Sequence, residues 1–501
     1  MPLDTAGYYR ALAARDRRFD GVFYVGVTST GIYCRPVCRA RTPRRERCRF
    51  FNNAAAAERA GYRPCLRCRP ELAPGHSSVD AVGRLASAAA LRIAEGALNA
   101  GDVESLAREL GVGSRHLRRV LEREVGVTPV ELAQTQRLLL AKRLLTDSEL
   151  PITEIAHASG FQSLRRFNAL FRSRYRLNPT GLRRVHRNGN GRPAATIGND
   201  AHGDDDVVSL SLSYRPPFAW QPLLRFLAAR ATPGVESVNA DEYARTIAIG
   251  EHRGWLVATH ARSGDALSVS VSASLAPVLM AVLARLRQLF DLDANPLDID
   301  GHLSREGLST LVRRARGLRV PGAVDGFELA VRAILGQQVS VRGATTLAGR
   351  FAGAFGEPRS PTASLPRLAP TAERVADATV EQIAAIGLPR ARAMSIHTLA
   401  RALADGDIHL VAGANAPETM RRLTSLPGIG AWTAQYIAMR ALRWPDAFPA
   451  SDLALRRAAG SPTPAKLERA AERWSPWRAY AVMHLWSTLT PPTHTGHSGE
   501  R

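Results

Sequence analysis

Cys34, Cys38, Cys65 and Cys68 form two close pairs, with three residues inside the first, two inside the second and 26 between them. Sulfurs a few residues apart on a tight turn can share one tetrahedral metal, so this spacing predicts one Zn²⁺ held by four thiolates. The segment around them is dense in arginine, which makes DNA the expected neighbour of that metal. A thiolate zinc centre facing DNA can be a strut or a nucleophile, and spacing alone leaves both open. The fifth cysteine, Cys48, matches no ligand position and reads as a packing residue.

A chain of 501 residues is too long for one hydrophobic core and predicts three or four domains. The net charge is +22, and through residue 192 there are 34 basic residues against 17 acidic ones. The remainder holds 33 against 28, so the excess sits in the front half. Such a front half suits a polyanion, because each neutralised phosphate releases condensed counterions. Only Lys142 and Lys466 are lysines, so part of the arginine content is compositional bias. The start, MPLDTAGYYRAL, carries Asp4 and no long apolar run. The most apolar helix candidate, Leu275 to Phe290, is broken by Arg285 and Arg287 and is too short to span a bilayer. Cysteines at metal spacing with one left over suit a reducing compartment. The expectation is a cytoplasmic chain with no membrane partner.

The elements that must position these residues follow from periodicity. FDGVFYVGVTSTGIY has strand-like aromatic and β-branched residues leading into the cysteines, giving a small mixed domain over 1–78. Residues 79–186 turn helical and contain a repeat: LARELGVGSRHLRRVLEREVGVTP from Leu106, then IAHASGFQSLRRFNALFRSRYRLNP from Ile155. Each copy has a turn glycine (Gly111, Gly160) and a serine near the next helix start (Ser114, Ser163). Apolar residues recur at matching steps: Leu117, Val120 and Leu121, then Phe167, Leu170 and Phe171. This is a helix-turn-helix present twice. Residues 187–206 are rich in Gly, Asn and Asp and read as a linker. Strand signals follow at 207, 246 and 267, then a helix, giving a subdomain over 207–288. A helical region over 289–492 ends in a tail, 493–501.

The segment FYVGVTSTGIYCRPVCRARTPRRERCRFF with AGYRPCLRCRPEL resembles the N-terminal domain of the Ada-type methylation-damage sensors. The resemblance implies that Cys34, Cys38, Cys65 and Cys68 hold zinc, and that Cys34 accepts a methyl group irreversibly from a methylated DNA phosphate. The physics agrees: Zn²⁺ with four thiolates carries a net −2 charge, which keeps sulfur deprotonated and electron-rich. It repels an anionic phosphodiester and admits a neutral methylphosphotriester. Methylation leaves −1, and against several phosphates at reduced dielectric that difference is worth roughly 1–3 kcal/mol in DNA affinity. Arg35, Arg39, Arg45 and Arg67 are candidate phosphate clamps. The helix pair, joined by LAQTQRLLLAKRLL, resembles the AraC/XylS regulator domain, which places two recognition helices in successive major grooves. Arg115, His116, Arg118, Arg165, Arg166 and Asn168 are the candidate DNA readers.

Residues 423–433, LTSLPGIGAWT, carry a helix-hairpin-helix signature, in which Gly428 and Gly430 let backbone N–H groups approach a phosphate. With Asp452 in FPASDLALRR, and with PPFAWQPLLRFLAARA, VPGAVDGFELAVRAILGQQVS and ERWSPWRAYAVMHLW, residues 207–490 resemble the AlkA-type 3-methyladenine DNA glycosylases of the HhH-GPD superfamily. The resemblance implies that Asp452 is the catalytic carboxylate, stabilising charge on the sugar or orienting water. It places Trp432, Tyr436, Trp486 and Phe226 around a flipped base, where cationic alkylpurines are attracted by cation–π forces. Trp432 stands where lyase relatives carry lysine, so the expected reaction is monofunctional. Gln338 stands where the family has a leucine wedge. Leu453 and Ser487 replace family aromatics, which predicts a roomier pocket. The hairpin carbonyls of Thr424, Leu426 and Ile429 could hold a monovalent cation, as relatives do.

The expected fold class is therefore multidomain and mainly α with α+β parts: a small zinc-bound α+β domain, a tandem helix-turn-helix, an α+β subdomain and an all-α HhH-GPD domain. The expected function is an alkylation-damage response: methylphosphotriester sensing, transcription regulation and excision of 3-methyladenine and 7-methylguanine. The rival expectation is a pure transcription regulator with a structural zinc and an inactive glycosylase fold. Partners would be double-stranded DNA and RNA polymerase, and the chain a monomer. No Pro-Cys-His-Arg segment occurs, so a guanine-O-alkyl repair domain is not expected.

Overall fold

The computed structural model describes residues 5–75, 83–188, 207–261, 264–359, 365–461 and 463–489. The expected tail, and the expected linker beyond its first two residues, lie outside these. No described helix is long and apolar enough to cross a membrane.

The first module is a four-stranded sheet ordered β3-β1-β2-β4, built from β1 Tyr24–Val27, β2 Ile32–Cys34, β3 Cys48–Phe51 and β4 Arg63–Pro64. Strand β1 is antiparallel to both neighbours, with Val25 opposite Cys34 and Phe50, while β2 and β4 are parallel. Aromatic and β-branched residues drive this sheet, since Phe23, Val25 and Tyr33 are fully buried. The Cys65 N–H donates to the Tyr33 carbonyl at 3.0 Å, so both cysteine pairs hang from neighbouring strand ends.

The repeat folds as the sequence predicts. One unit is Val103–Glu109 with Ser114–Glu124, the other Ile152–Ala158 with Leu164–Tyr175, and the helix Pro129–Asp147 joins them. Asp102 with Ser105 and Thr128 with Glu131 form capping boxes. Gly160 turns at φ +86°, a conformation that strains other residues, and a Cβ there would overlap Asn99. Leu117, Leu121, Phe167 and Phe171 are wholly buried.

The next subdomain is a five-stranded antiparallel sheet ordered β5-β9-β8-β7-β6: β5 Val207–Ser213, β6 Glu236–Val238, β7 Glu242–Ile249, β8 His252–His260 and β9 Ala266–Ser272. Three of these were expected. Strand β8 escapes the alternation rule because five consecutive residues, Gly254 to Ala258, are buried. The expected helix from Leu275 opens instead as a 3₁₀ turn through Pro277 and becomes α-helical at Leu279–Leu289.

Charge and composition suggested modules joined by a linker, but the apolar core runs across the boundary. Leu138, Leu145, Phe167 and Phe171 of the helix-turn-helix share one cluster with Val208, Leu210, Leu279 and Leu286. The remaining helices, from Pro296–Leu303 to Arg478–Ser487, enclose a separate core around Ile334, Ile396 and Ile437.

Candidate functional site

Two sites emerge. In the first, one sulfur from each of Cys34, Cys38, Cys65 and Cys68 lies within 4.8 Å of every other, a set compact enough to surround one tetrahedral ion. Hydrogen bonding among the four thiols lowers Cys38 and Cys65 and raises Cys34 and Cys68. Cys38 and Cys65 are buried, whereas Cys34 and Cys68 keep partial exposure. The Cys68 sulfur accepts the Arg35 backbone N–H at 3.4 Å. Cys48 pairs with Val27 in the sheet and packs against the small cluster that contains Phe23 and Val25.

Arg35 is not displayed to solvent. Its Nε donates to Asp20 Oδ1 at 2.8 Å, Nη2 to Asp20 Oδ2, and Nη1 to the Cys68 carbonyl at 3.1 Å. The guanidinium thus braces the second cysteine pair, which a reading of charge alone could not foresee. Arg39, Arg45 and Arg67 are exposed. Asp20 connects further: its carbonyl accepts Arg215 Nε at 3.2 Å, while Arg215 also donates to the carbonyls of Asp293 (2.7 Å) and Gly75 (2.6 Å). The thiol cluster is therefore tied to the C-terminal half.

On the two candidate recognition helices Arg115, His116, Arg118, Arg165 and Arg166 are exposed and Asn168 is half-buried. Arg118 reaches Glu104 at 3.4 Å, both well exposed, a pair too solvated to tie the arginine down.

The second site is built where the hairpin meets two helices. Ala416–Ser425 and Ala431–Arg440 flank a turn in which Gly428 has φ +77° and a Cβ would overlap Ser395 Oγ. At Gly430 the added Cβ would meet nothing within 4 Å, leaving its open side free for an incoming backbone. Gln337 Nε2 fastens the preceding loop to the Gly428 carbonyl and Thr433 Oγ1, each at 3.0 Å. Gln338 projects beside it, exposed at φ +56°, with Val339 and Val341 exposed as well.

Asp452 caps the helix Leu453–Ala458, its Oδ1 accepting the Leu455 N–H at 2.6 Å. Capping is only part of its role. Trp486 Nε1 donates to Oδ1 at 3.1 Å and Trp432 Nε1 to Oδ2 at 2.9 Å. The rings continue the cluster: Trp432 stacks on Tyr436 with centroids 5.5 Å apart, and Phe226 lies nearly parallel to Trp486 at 6.3 Å. The structure thus brings together all five residues singled out for this site, from four separate elements. Leu453 and Ser487 are exposed at its rim.

Sequence reading missed two residues here. Arg440 donates Nη1 to the Tyr436 hydroxyl at 2.9 Å, and Nε and Nη2 to the carbonyls of Pro321 (2.8 Å) and Gly322 (2.9 Å). Arg230 sits 3.8 Å from the Phe226 ring centroid, with Arg440 at 5.2 Å. The aromatic faces expected to attract a cationic base already carry guanidinium groups. The available signal was spacing, since Tyr436 and Arg440 are i, i+4 neighbours on one helix, and Arg230 follows Phe226 by four residues in the turn that ends the helix Trp220–Ala228.

A carboxylate held by two indoles beside a helix-hairpin-helix, on the same chain as a four-thiol cluster and tandem helix-turn-helix units, defines a DNA-repair protein joined to a regulator. Family comparisons agree module by module. Residues 7–71 match the metal binding domain of Ada, 106–185 a helix-turn-helix domain, 209–325 the AlkA N-terminal domain, and 331–476 the HhH-GPD superfamily of base excision DNA repair proteins. Over 492 residues, 97% of each chain, the sequence is 40% identical to the probable bifunctional transcriptional activator/DNA repair enzyme AlkA of Mycobacterium tuberculosis H37Rv. The chain belongs to this family of bifunctional transcriptional activator/DNA repair enzymes. It is also 40% identical over 280 residues to Escherichia coli K12 DNA-3-methyladenine glycosylase 2, covering 56% of this chain and 96% of that one. It is 35% identical over 150 residues to the E. coli K12 bifunctional transcriptional activator/DNA repair enzyme Ada, covering 30% of this chain and 41% of that one.

Proposed function

We propose that this chain excises alkylated purines such as 3-methyladenine and 7-methylguanine by monofunctional hydrolysis, senses methylphosphotriesters at Cys34, and regulates transcription through its helix-turn-helix pair. The observation that carries the excision reading is Asp452, whose two oxygens are both aimed by indole N–H groups inside an aromatic cluster. As the base leaves, positive charge grows on the sugar, and a fixed carboxylate stabilises it without reorganising. Trp432, Tyr436, Trp486 and Phe226 receive the flipped base. Gln338, projecting from the loop locked by Gln337, fills the space the base vacates, and the N–H groups at Gly428 and Gly430 hold a phosphate. The carbonyls of Thr424, Leu426 and Ile429 suit a monovalent cation, although that of Leu426 already accepts the Ile429 N–H at 3.2 Å.

In the front half, zinc bound by the four sulfurs would keep them as thiolates. Cys34 then forms a sulfur–carbon bond to the methyl group as the methyl–oxygen bond of the triester breaks, leaving an ordinary phosphodiester anion. Support for Cys34 comes from exposure and hydrogen bonding. Cys38 and Cys65 are buried, and the N–H bond accepted by Cys68 withdraws electron density from that sulfur. Arg39, Arg45 and Arg67 are the phosphate contacts, while Arg35 braces the second cysteine pair through the Cys68 carbonyl. Arg115, Arg118, Arg165 and Arg166 meet promoter DNA. RNA polymerase is the proposed protein partner of a cytoplasmic monomer.

The deciding experiment is base release from alkylated duplex DNA. Release of 3-methyladenine by the wild type, lost in Asp452→Asn, supports the enzyme. No release by the wild type leaves a pure regulator.

A further inference from the structure

The thiol cluster and the base pocket are joined by a line of hydrogen-bonded side chains. Arg35 follows Cys34 directly, donates its backbone N–H to the Cys68 sulfur and grips the Asp20 carboxylate. The Asp20 carbonyl accepts Arg215 Nε at 3.2 Å, and the Arg215 carbonyl accepts Arg319 Nη2 at 2.7 Å. Two and three residues past Arg319, the carbonyls of Pro321 and Gly322 take the fork of Arg440, whose Nη1 meets the Tyr436 hydroxyl. Tyr436 stacks on Trp432, and Trp432 donates to Asp452. Asp20, Arg215, Arg319, Arg440 and Tyr436 are all buried, so bulk water does not compete for these bonds. Buried guanidinium groups are expensive to desolvate, and three in one line call for a reason beyond cohesion.

Arg319 is the link able to change partners. It is wholly buried, and its Nε and Nη1 find no partner among the described residues. A buried donor left unpaired costs about 1–3 kcal/mol, so an alternative pairing has that much to gain. Residues 318–322 around it are buried yet neither helix nor strand, which leaves side-chain bonds from Arg319 and Arg440 to set their course.

Methyl transfer supplies the perturbation. The methyl group leaves the triester oxygen, the bonding electrons stay on that oxygen, and a thiolate becomes an uncharged thioether. The cluster that holds Arg35 thus loses one negative charge and gains a methyl group. In the described conformation the thiols are unmodified and the pocket is assembled, with Asp452 held at both oxygens. A change at the cluster end therefore loosens the pocket.

We propose that methylation of Cys34 slows base excision through Arg35, Asp20, Arg215 and Arg319, so that a chain carrying its methyl group works less as a glycosylase. This inference rests on both readings given above, Cys34 as acceptor and Asp452 as the carboxylate of excision. The arginines are positioning residues, acting on the pocket through residues 318–322 and Arg440.

The full chain is preincubated with methylphosphotriester DNA, freed of it in high salt, and compared with untreated chain in single-turnover release of 3-methyladenine. The maximal rate at saturating enzyme is expected to fall about fivefold or more, the lower end of typical coupling between sites. Tighter DNA binding by the methylated chain shows only in the half-saturating concentration and does not imitate this fall. Hydrogen exchange in the peptide spanning 318–322 should quicken on methylation. In Arg215→Met both changes are present beforehand and methylation adds nothing, while methyl uptake at Cys34 stays normal. Should Arg215→Met fail to take up methyl groups, Arg319→Met, one link further on, takes its place. Arg17→Met cuts an exposed ion pair to Asp265 between the same two modules and keeps the full response. An unchanged maximal rate after confirmed methyl uptake overturns the proposal, as does a response in Arg215→Met equal to that of the wild type. No methyl uptake by the wild type overturns the sensor reading, and no base release the excision reading, each taking this inference with it.

Discussion

Trp432 donates its indole N–H to Oδ2 of Asp452 across 2.9 Å, so a ring stacked on Tyr436 also steers a carboxylate. Trp486 holds the other oxygen at 3.1 Å. A carboxylate pinned at both oxygens is held in one orientation. Asp452→Asn is expected to lower the single-turnover excision rate by about a thousandfold, the scale of losing a preorganised electrostatic partner. Trp432→Phe keeps the ring and removes one hydrogen bond to a charged group, worth about 1.5–3 kcal/mol, or roughly ten- to a hundredfold in rate. Equal rates for Trp432→Phe and wild type would show that the indole only packs.

The thiol cluster makes a chemical prediction that does not depend on the glycosylase. After incubation with methylphosphotriester DNA, mass spectrometry should find one added methyl group, on the peptide containing Cys34. Cys34→Ser should take up none. A methyl group on Cys68 would reverse the assignment, since exposure alone allows either sulfur. Chelation should release about one zinc per chain and destabilise the module, because metal binding here is folding energy.

Much of this was legible because local rules agreed with the fold. The knuckle spacing, the two turn glycines and the hairpin each specify a short stretch of backbone, and each formed where expected. Strand β8 was not legible, because burial on both faces erased its alternation. The pairing of Arg35 was not legible for a different reason. Its charge suggests phosphate, but Asp20 lies 15 positions earlier, and no periodic rule links the two. Arg215 and the shared core across residues 138–324 depend on contacts between modules, which sequence patterning does not encode.

Two buried titrating groups predict opposite pH responses. Glu58 lies between the Tyr33 hydroxyl and Thr135 Oγ1, each 3.1 Å away, and burial pushes it up from 4.5 to about 7. The native state therefore keeps a proton that the unfolded chain has lost, and stability falls as pH rises from about 4.5 to 7. The loss is on the order of 3 kcal/mol. His484 is wholly buried, neither ring nitrogen has a partner among the described residues, and burial pushes it down from 6.5 to about 4. The unfolded chain takes up a proton first, so this contribution is lost as pH falls from 6.5 to 4. Glu58→Gln should accordingly raise Tm at pH 8 and leave it nearly unchanged at pH 4.5. His484→Leu should raise Tm more at pH 5 than at pH 8. Calorimetry at these pH values checks both, and the reverse pattern for either variant contradicts its assignment.

Lys142 and Glu71 join the first module to the helix that connects the two helix-turn-helix units, with both side chains 1% exposed. Arg69 extends the pair, reaching Glu71 at 3.0 Å and Asp147 at 2.7 Å. Burial would raise the Glu71 carboxyl, but Lys142 and Arg69 hold it below its ordinary range, so it remains an anion. Lys142→Met strands much of that charge in an apolar setting and should cost about 3 kcal/mol. Adding Glu71→Gln removes the stranded charge and should recover most of the loss, because a buried pair is worth little beyond its own desolvation. The two units share this network, so the wild type should unfold them in one calorimetric transition. In Lys142→Met the zinc-bearing module should melt first, and in the double variant the transitions should merge again. Independent, additive effects of the two substitutions would mean that the pair does not couple the modules.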